Sequence, residues 1–160
     1  MTADKVMRRT LRFESLEELQ AELAMLEAAH RSGHLRTTGN WTAGQILAHV
    51  AAWIEYGYDG YPMDLPLLPI RWILRLMLPK MLRVGMKPGV RIPGIKGGTI
   101  GADQMETPAA IDRLRTAIGR LSRGEPGRFH SPAFGVMSDE DRIRLTLRHA
   151  ELHLGFLATD

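Results

Sequence analysis

Three histidines carry the spacing best suited to chemistry. His149 and His153 stand four residues apart. On a helix that places them one turn apart on one face, with about 5–6 Å between their Cβ atoms. Leu145, Leu152 and Phe156 fall on the same face, so it is expected to point inward. His49 lies between Ile46 and Trp53 on the apolar face of an earlier helix. If the two helices face each other, three imidazoles meet inside the protein. Three neutral ring nitrogens can hold a divalent ion and leave positions open for water or substrate. Such an ion acts as a Lewis acid, or lowers the pKa of a bound water or thiol. The same residues can instead be hydrogen-bonded core histidines, and the two readings part on whether the rings converge. His30, His34 and His130 fall at helix ends or in loops and read as surface residues or as neighbours of the ligands.

Sharper metal motifs fail. A zincin needs glutamate directly after the first histidine as general base. Here the run is His149-Ala150-Glu151-Leu152-His153, which turns Glu151 to a different face. A zinc deaminase needs H-x-E and a pair of cysteines; the first half is present and the second is not, because the chain has no cysteine. That lack also excludes catalytic thiols, Cys-ligated zinc, iron–sulfur clusters and disulfides, so any metal must rest on histidines and carboxylates. There is no P-loop, no GxGxxG after a strand and no GxSxG.

Four helices are predicted to position these residues. Ser15 with Glu18 reads as a capping box ahead of Leu16, Leu19, Leu23 and Leu26. Thr42 with Gln45 repeats the device ahead of Ile46, His49, Val50 and Trp53, with Trp41 and Ile46 as a hydrophobic staple. Thr107 reads as an N-cap with Pro108 at the first helical position, and Ile111, Leu114, Ile118 and Leu121 follow on one face. Ser138, followed by Asp139, Glu140 and Asp141, opens the helix that carries the histidine pair. A long crossover, about residues 60–106, joins the second and third of these helices. Its first part, Leu67 to Leu82, reads as helix and its second, Val84 to Gly101, as Gly/Pro-rich loop. The expectation is an all-α protein, one domain over residues 1–160, built as an antiparallel four-helix bundle.

The chain of 160 residues is 44% hydrophobic and 24% charged, the composition of a globular protein. Its net charge of +3 is unevenly placed. Residues 65–102 hold seven of the 21 basic residues and none of the 18 acidic ones. The pI of 9.6 therefore reflects one segment, and nucleic-acid binding by the whole domain is not expected. No stretch is apolar enough to cross a membrane, because the greasiest run carries Arg71, Arg75, Lys80 and Arg83 and three prolines. The first ten residues lack the apolar core of a secretion signal, so the cytoplasm is the expected compartment. The basic run itself reads as a helix that lids the open end of the bundle, its apolar side chains packed and its Arg tips in water. Functionally, Arg71 and Arg75 could guide an anionic substrate or thiol cofactor to the metal, a use favoured over contact with a membrane surface.

Asn40-Trp41-Thr42-Ala43-Gly44-Gln45-Ile46-Leu47-Ala48-His49-Val50 resembles the second helix of the DinB/YfiT-like superfamily. His149-x-x-x-His153-x-Gly155 resembles its closing helix, and Ser131-Pro132-Ala133-Phe134-Gly135-Val136-Met137-Ser138 resembles the lead-in found in a bacterial branch of unknown function. The resemblance covers most of the chain. It implies an up-down-down-up four-helix bundle, a metal on His49, His149 and His153, and a tendency to form homodimers. It also implies a reaction on a small molecule, because characterised relatives include mycothiol-dependent maleylpyruvate isomerase and bacillithiol transferases. The chain departs from the pattern at Leu152, where many relatives carry a further His, at Leu154-Gly155-Phe156, and at Ser131. These changes bear on the polar part of the pocket. Gln45, one turn before His49, is the nearest candidate to orient a ligand, unless its role is the capping box.

Three functions are therefore set side by side. The first is a metal-dependent enzyme, with Zn, Ni, Fe or Mn activating a low-molecular-weight thiol or water. The second is a non-catalytic metal- or ligand-binding stress module, which needs no substrate-sized cavity at the metal. The third is an interaction or membrane-peripheral protein whose histidines only fill the core. No catalytic acid or base can be named from the sequence.

Overall fold

The computed structural model describes residues 7–92 and 95–159. Its elements begin where the local chemistry places them. Ser15 caps α1 (Leu16–Arg31), its hydroxyl accepting from the Glu18 N–H at 3.3 Å. Glu18 reaches past the cap and accepts from the Glu14 N–H at 2.7 Å, so the expected box is only half made. Thr42 and Gln45 form the full reciprocal box at the start of α2 (Ala43–Asp59). Ser138 caps α5 (Asp139–Leu154) by accepting from the Asp141 N–H at 3.1 Å. α4 (Thr107–Ser122) starts one residue earlier than expected: Glu106 takes the cap position without a side-chain bond, and Thr107 is already helical.

The core is made by α1, α2, α4 and α5. α2 packs along α4, and α1 lies against α4 and α5. Leu19, Leu23, Ile46, Leu47, Ile111, Leu114, Ile118 and Leu154 are almost fully buried in one continuous cluster. The segment leading into α4 comes close to α2 at Gly44. A Cβ there would lie 1.8 Å from the Met105 carbonyl oxygen, so only glycine lets the chain entering α4 dock on the first turn of α2.

Three points qualify the expectations. First, the protein is mostly helical, as expected, with one small two-stranded sheet added. β1 (Leu35–Thr37) and β2 (Leu157–Thr159) pair antiparallel, Leu35 opposite Thr159 and Thr37 opposite Leu157. Second, α5 turns Leu147, Ala150 and Leu154 to the core, while the face of Leu145, His149, Leu152, His153 and Phe156 is only half-buried and faces a cavity. Third, the crossover helix α3 (Leu68–Val84) does not bury its apolar run. Only Leu78 and Leu82 are buried, and α3 packs on α5 without joining the core. The apolar run is wider than one helix face, so packing against one neighbour leaves the rest outside.

A buried ion pair ties these layers together. Arg148 and Glu151, three apart on α5, bond through Nη1 and Oε1 with side chains 2% and 8% exposed. Arg148 Nη2 donates to the Phe13 carbonyl at 3.1 Å, and Nε donates to the Leu82 carbonyl at 3.1 Å. Glu151 Oε1 accepts from the Phe13 N–H at 2.7 Å. One pair thus fixes the segment before α1, the end of α3 and α5. Glu151→Ala leaves a buried guanidinium without its counter-charge, so urea unfolding is expected to show a loss of about 3–5 kcal/mol. Arg148→Met with Glu151→Leu, which removes both charges, is expected to cost far less.

Candidate metal centre

Two helices deliver the ligands. His49 comes from the middle of α2 and is 1% exposed; His149 and His153 come from the cavity face of α5. One ring nitrogen from each of the three lies within 4.8 Å of the other two. His49 Nε2 and His153 Nε2 are 3.2 Å apart, across 104 positions of sequence. The ring centres of His149 lie 5.0 Å from His49 and 4.5 Å from His153. The rings therefore converge, the condition on which the two sequence readings part.

The tautomer of His49 follows from its other nitrogen. Nδ1 is 2.8 Å from the Ile100 carbonyl, which can only accept, so Nδ1 carries the proton and Nε2 presents a lone pair to the cluster. Ile100 can offer that carbonyl because Gly101 adopts φ +77°, and because a side chain there would strike Tyr56 and Ala52. No sequence motif marks this partner: it is a backbone atom 51 residues from the histidine it orients. Gln45, the sequence candidate for that task, is held in the capping box instead.

Aromatic rings pack against the cluster. Trp41 stacks on His153, with ring centres 5.9 Å apart and planes 6° apart, and meets His49 edge-on at 5.1 Å. Trp53 flanks His149 at 5.4 Å. The expected staple residue Trp41 thus forms a wall of the site. Burial pushes His49 down to about 4, against the Ile100 bond, which raises it. Burial and the positive potentials of His49 and Arg8 take His153 down to about 3. Burial first, then His153 and His49, hold His149 well below its usual value. All three are neutral near pH 7, as metal ligands must be.

The cluster opens into a cavity of about 1450 Å³. Its walls are mainly apolar: Ile70, Leu74, Met77 and Met81 of α3, Leu145 and Leu152 of α5, and the Pro132–Phe134 turn. That turn is the lead-in to α5 noted in the sequence, closed by the Phe134 N–H to Ser131 Oγ bond at 3.2 Å. Lys80, Lys87, Arg91 and Arg142 also line it. Arg71 and Arg75 are not lining residues; Arg75 donates to the Phe134 carbonyl at 3.2 Å and so ties α3 to the turn. His34 and His130 are exposed. No described helix is long and apolar enough to cross a membrane.

The neutral histidines set a pH dependence. In the unfolded chain they take up protons near pH 6.5, whereas the folded His49 and His153 stay neutral to about pH 4 and 3. Their contribution is complete above pH 6.5 and is lost as the pH falls from there, by up to about 1.4 kcal/mol per pH unit for each histidine. Chelator-treated protein is expected to show a Tm that declines steadily from pH 6.5 to 4.5. A flat profile in scanning calorimetry would contradict the buried, neutral state.

Over residues 5–160 the chain matches a family described as proteins of unknown function (DUF1569), and it belongs to that family. No curated protein and no solved structure matches it.

Proposed function

We propose that this DUF1569 protein is a metal-dependent enzyme of the DinB/YfiT-like kind, in which His49, His149 and His153 hold a divalent ion at the base of an apolar cavity. The observation that carries the reading is the convergence of three neutral imidazole nitrogens within 4.8 Å. The donor set fits Zn, Ni, Fe or Mn, and the approach of His49 Nε2 to His153 Nε2 suits a shared cation. A bound ion would supply Lewis-acid chemistry, lowering the pKa of a thiol or water at an open position.

The rest of the reading concerns this chain's own residues. Ile100 fixes the ring of His49, and Trp41 and Trp53 pack against the cluster. Three neutral ligands leave a divalent ion's charge uncompensated in an apolar pocket, which favours an anionic ligand such as a thiolate or carboxylate. Lys80, Lys87 and Arg91, along the same cavity, suit the approach of such an anion. The proposed reactions are thiol-dependent transfer or isomerisation, or hydrolysis, on a small molecule. A cavity of about 1450 Å³ beside the cluster favours turnover over a metal-storing module, which needs no such space.

Elemental analysis of untagged protein tests the site. The wild type is expected to carry close to one divalent ion per chain, and the His149→Ala, His153→Ala double variant none while keeping its helical circular dichroism. A wild type that stays empty after incubation with Zn, Ni, Mn and Fe would overturn the reading. A second test concerns the Ile100 carbonyl. Gly101→Ala, whose Cβ would meet the Ala52 Cβ at 2.8 Å, is expected to displace that carbonyl from His49. Metal affinity should then fall by about tenfold or more, the usual effect of losing a ligand's outer partner.

A further inference from the structure

We propose that the outer face of α3 docks on an anionic lipid surface. α3 is apolar on two sides. Ile70, Leu74 and Met81 line the cavity. On the other side Leu68, Trp72 and Leu76, spaced four apart, form a stripe that is 67%, 71% and 77% exposed, with Ile73 beside it at 58%. Leu65 and Leu67, just before the helix, are 64% and 74% exposed. A contiguous apolar patch of this kind on a folded protein marks an interaction surface.

The charge around the patch names the partner. Arg71, Arg75, Lys80 and Arg83 lie on α3 itself; Lys87 and Arg91, which line the cavity, and Lys96 follow it in the chain, and residues 65–102 hold no acidic residue. Among the described residues none of the seven forms an ion pair with a carboxylate. Trp and Leu on a helix flanked by Arg and Lys are suited to lie in a lipid interface, rings and aliphatic groups sunk among the acyl chains and cations at the phosphates. A second copy of the chain is a poorer partner. A two-fold contact through α3 would set this basic segment against itself, and like charges would oppose the apolar gain. Anionic lipid supplies both the apolar layer and the opposite charge. The helix would lie along the surface, with the cavity that it roofs close to the lipid.

Vesicle co-sedimentation of the full chain tests this. Binding is expected to equimolar phosphatidylglycerol and phosphatidylcholine, to weaken with added salt, and to be slight on phosphatidylcholine alone. A blue shift of tryptophan emission should accompany it and be lost in Trp72→Phe. Leu76→Glu, and Arg71→Glu with Arg83→Glu, should each weaken binding by about tenfold or more, with unchanged circular dichroism. No binding to the anionic vesicles, or equal binding by Leu76→Glu, overturns the proposal. So does a dimer in sedimentation velocity that Leu76→Glu dissociates while the wild type ignores vesicles, because the face would then be a contact between copies.

Discussion

A guanidinium almost wholly removed from water must keep its counter-charge and spend its donors on acceptors. Arg148 meets that demand with Glu151 and with the carbonyls of Phe13 and Leu82, and most of the architecture around the site depends on it. The pair gives α5 a third occupied side. One side enters the core through Leu147, Ala150 and Leu154, a second carries the ion pair, and the third carries His149 and His153. A helix committed in three directions cannot rotate without breaking one of them. The ring positions of both histidines are thereby set from the opposite side of their own helix. The Phe13 segment and the end of α3 are attached to the same point, so the roof of the cavity and the histidines in it share one anchor.

The electrostatics of the centre follow from burial more than from charged partners. Among the described residues no carboxylate belongs to the three-histidine cluster. Tryptophan rings and the protein interior keep the imidazoles uncharged, and a single backbone carbonyl chooses the tautomer of His49. The arrangement is held by shape, because the carbonyl stands where it does through the left-handed conformation of Gly101 and the close approach of Ala52 and Tyr56.

What could be read in the sequence was local or periodic. Ser15, Thr42 and Ser138 cap their helices through bonds three residues long, so their sequence context is nearly the whole of their environment. His149 and His153 are one turn apart by spacing, and His49 sits in the apolar period of α2. What escaped depends on distant chain. The three-residue strands pair across more than a hundred positions and have no pattern long enough to detect. The Ile100 carbonyl is a backbone atom, invisible to residue type. Nothing in the residues around Arg148 marks its partners, the distant carbonyls of Phe13 and Leu82. Two half-apolar faces compete on α5, and the histidine-bearing one borders a cavity rather than the core. On α3 the apolar residues exceed what one neighbouring helix can cover.

The slight anchorage of α3 has a consequence for motion. Two buried leucines, the Arg148 bond to Leu82 and the Arg75 bond to Phe134 are its main ties to the body. α2, by contrast, contributes much of the continuous core. Opening free energies differ from segment to segment in just this way, so α3 is expected to open at a lower cost than the core helices. Its amide hydrogens should exchange with solvent through an opening that leaves the α2–α4 packing intact. Such an opening would widen the way to the histidines, which already line the cavity, without global unfolding.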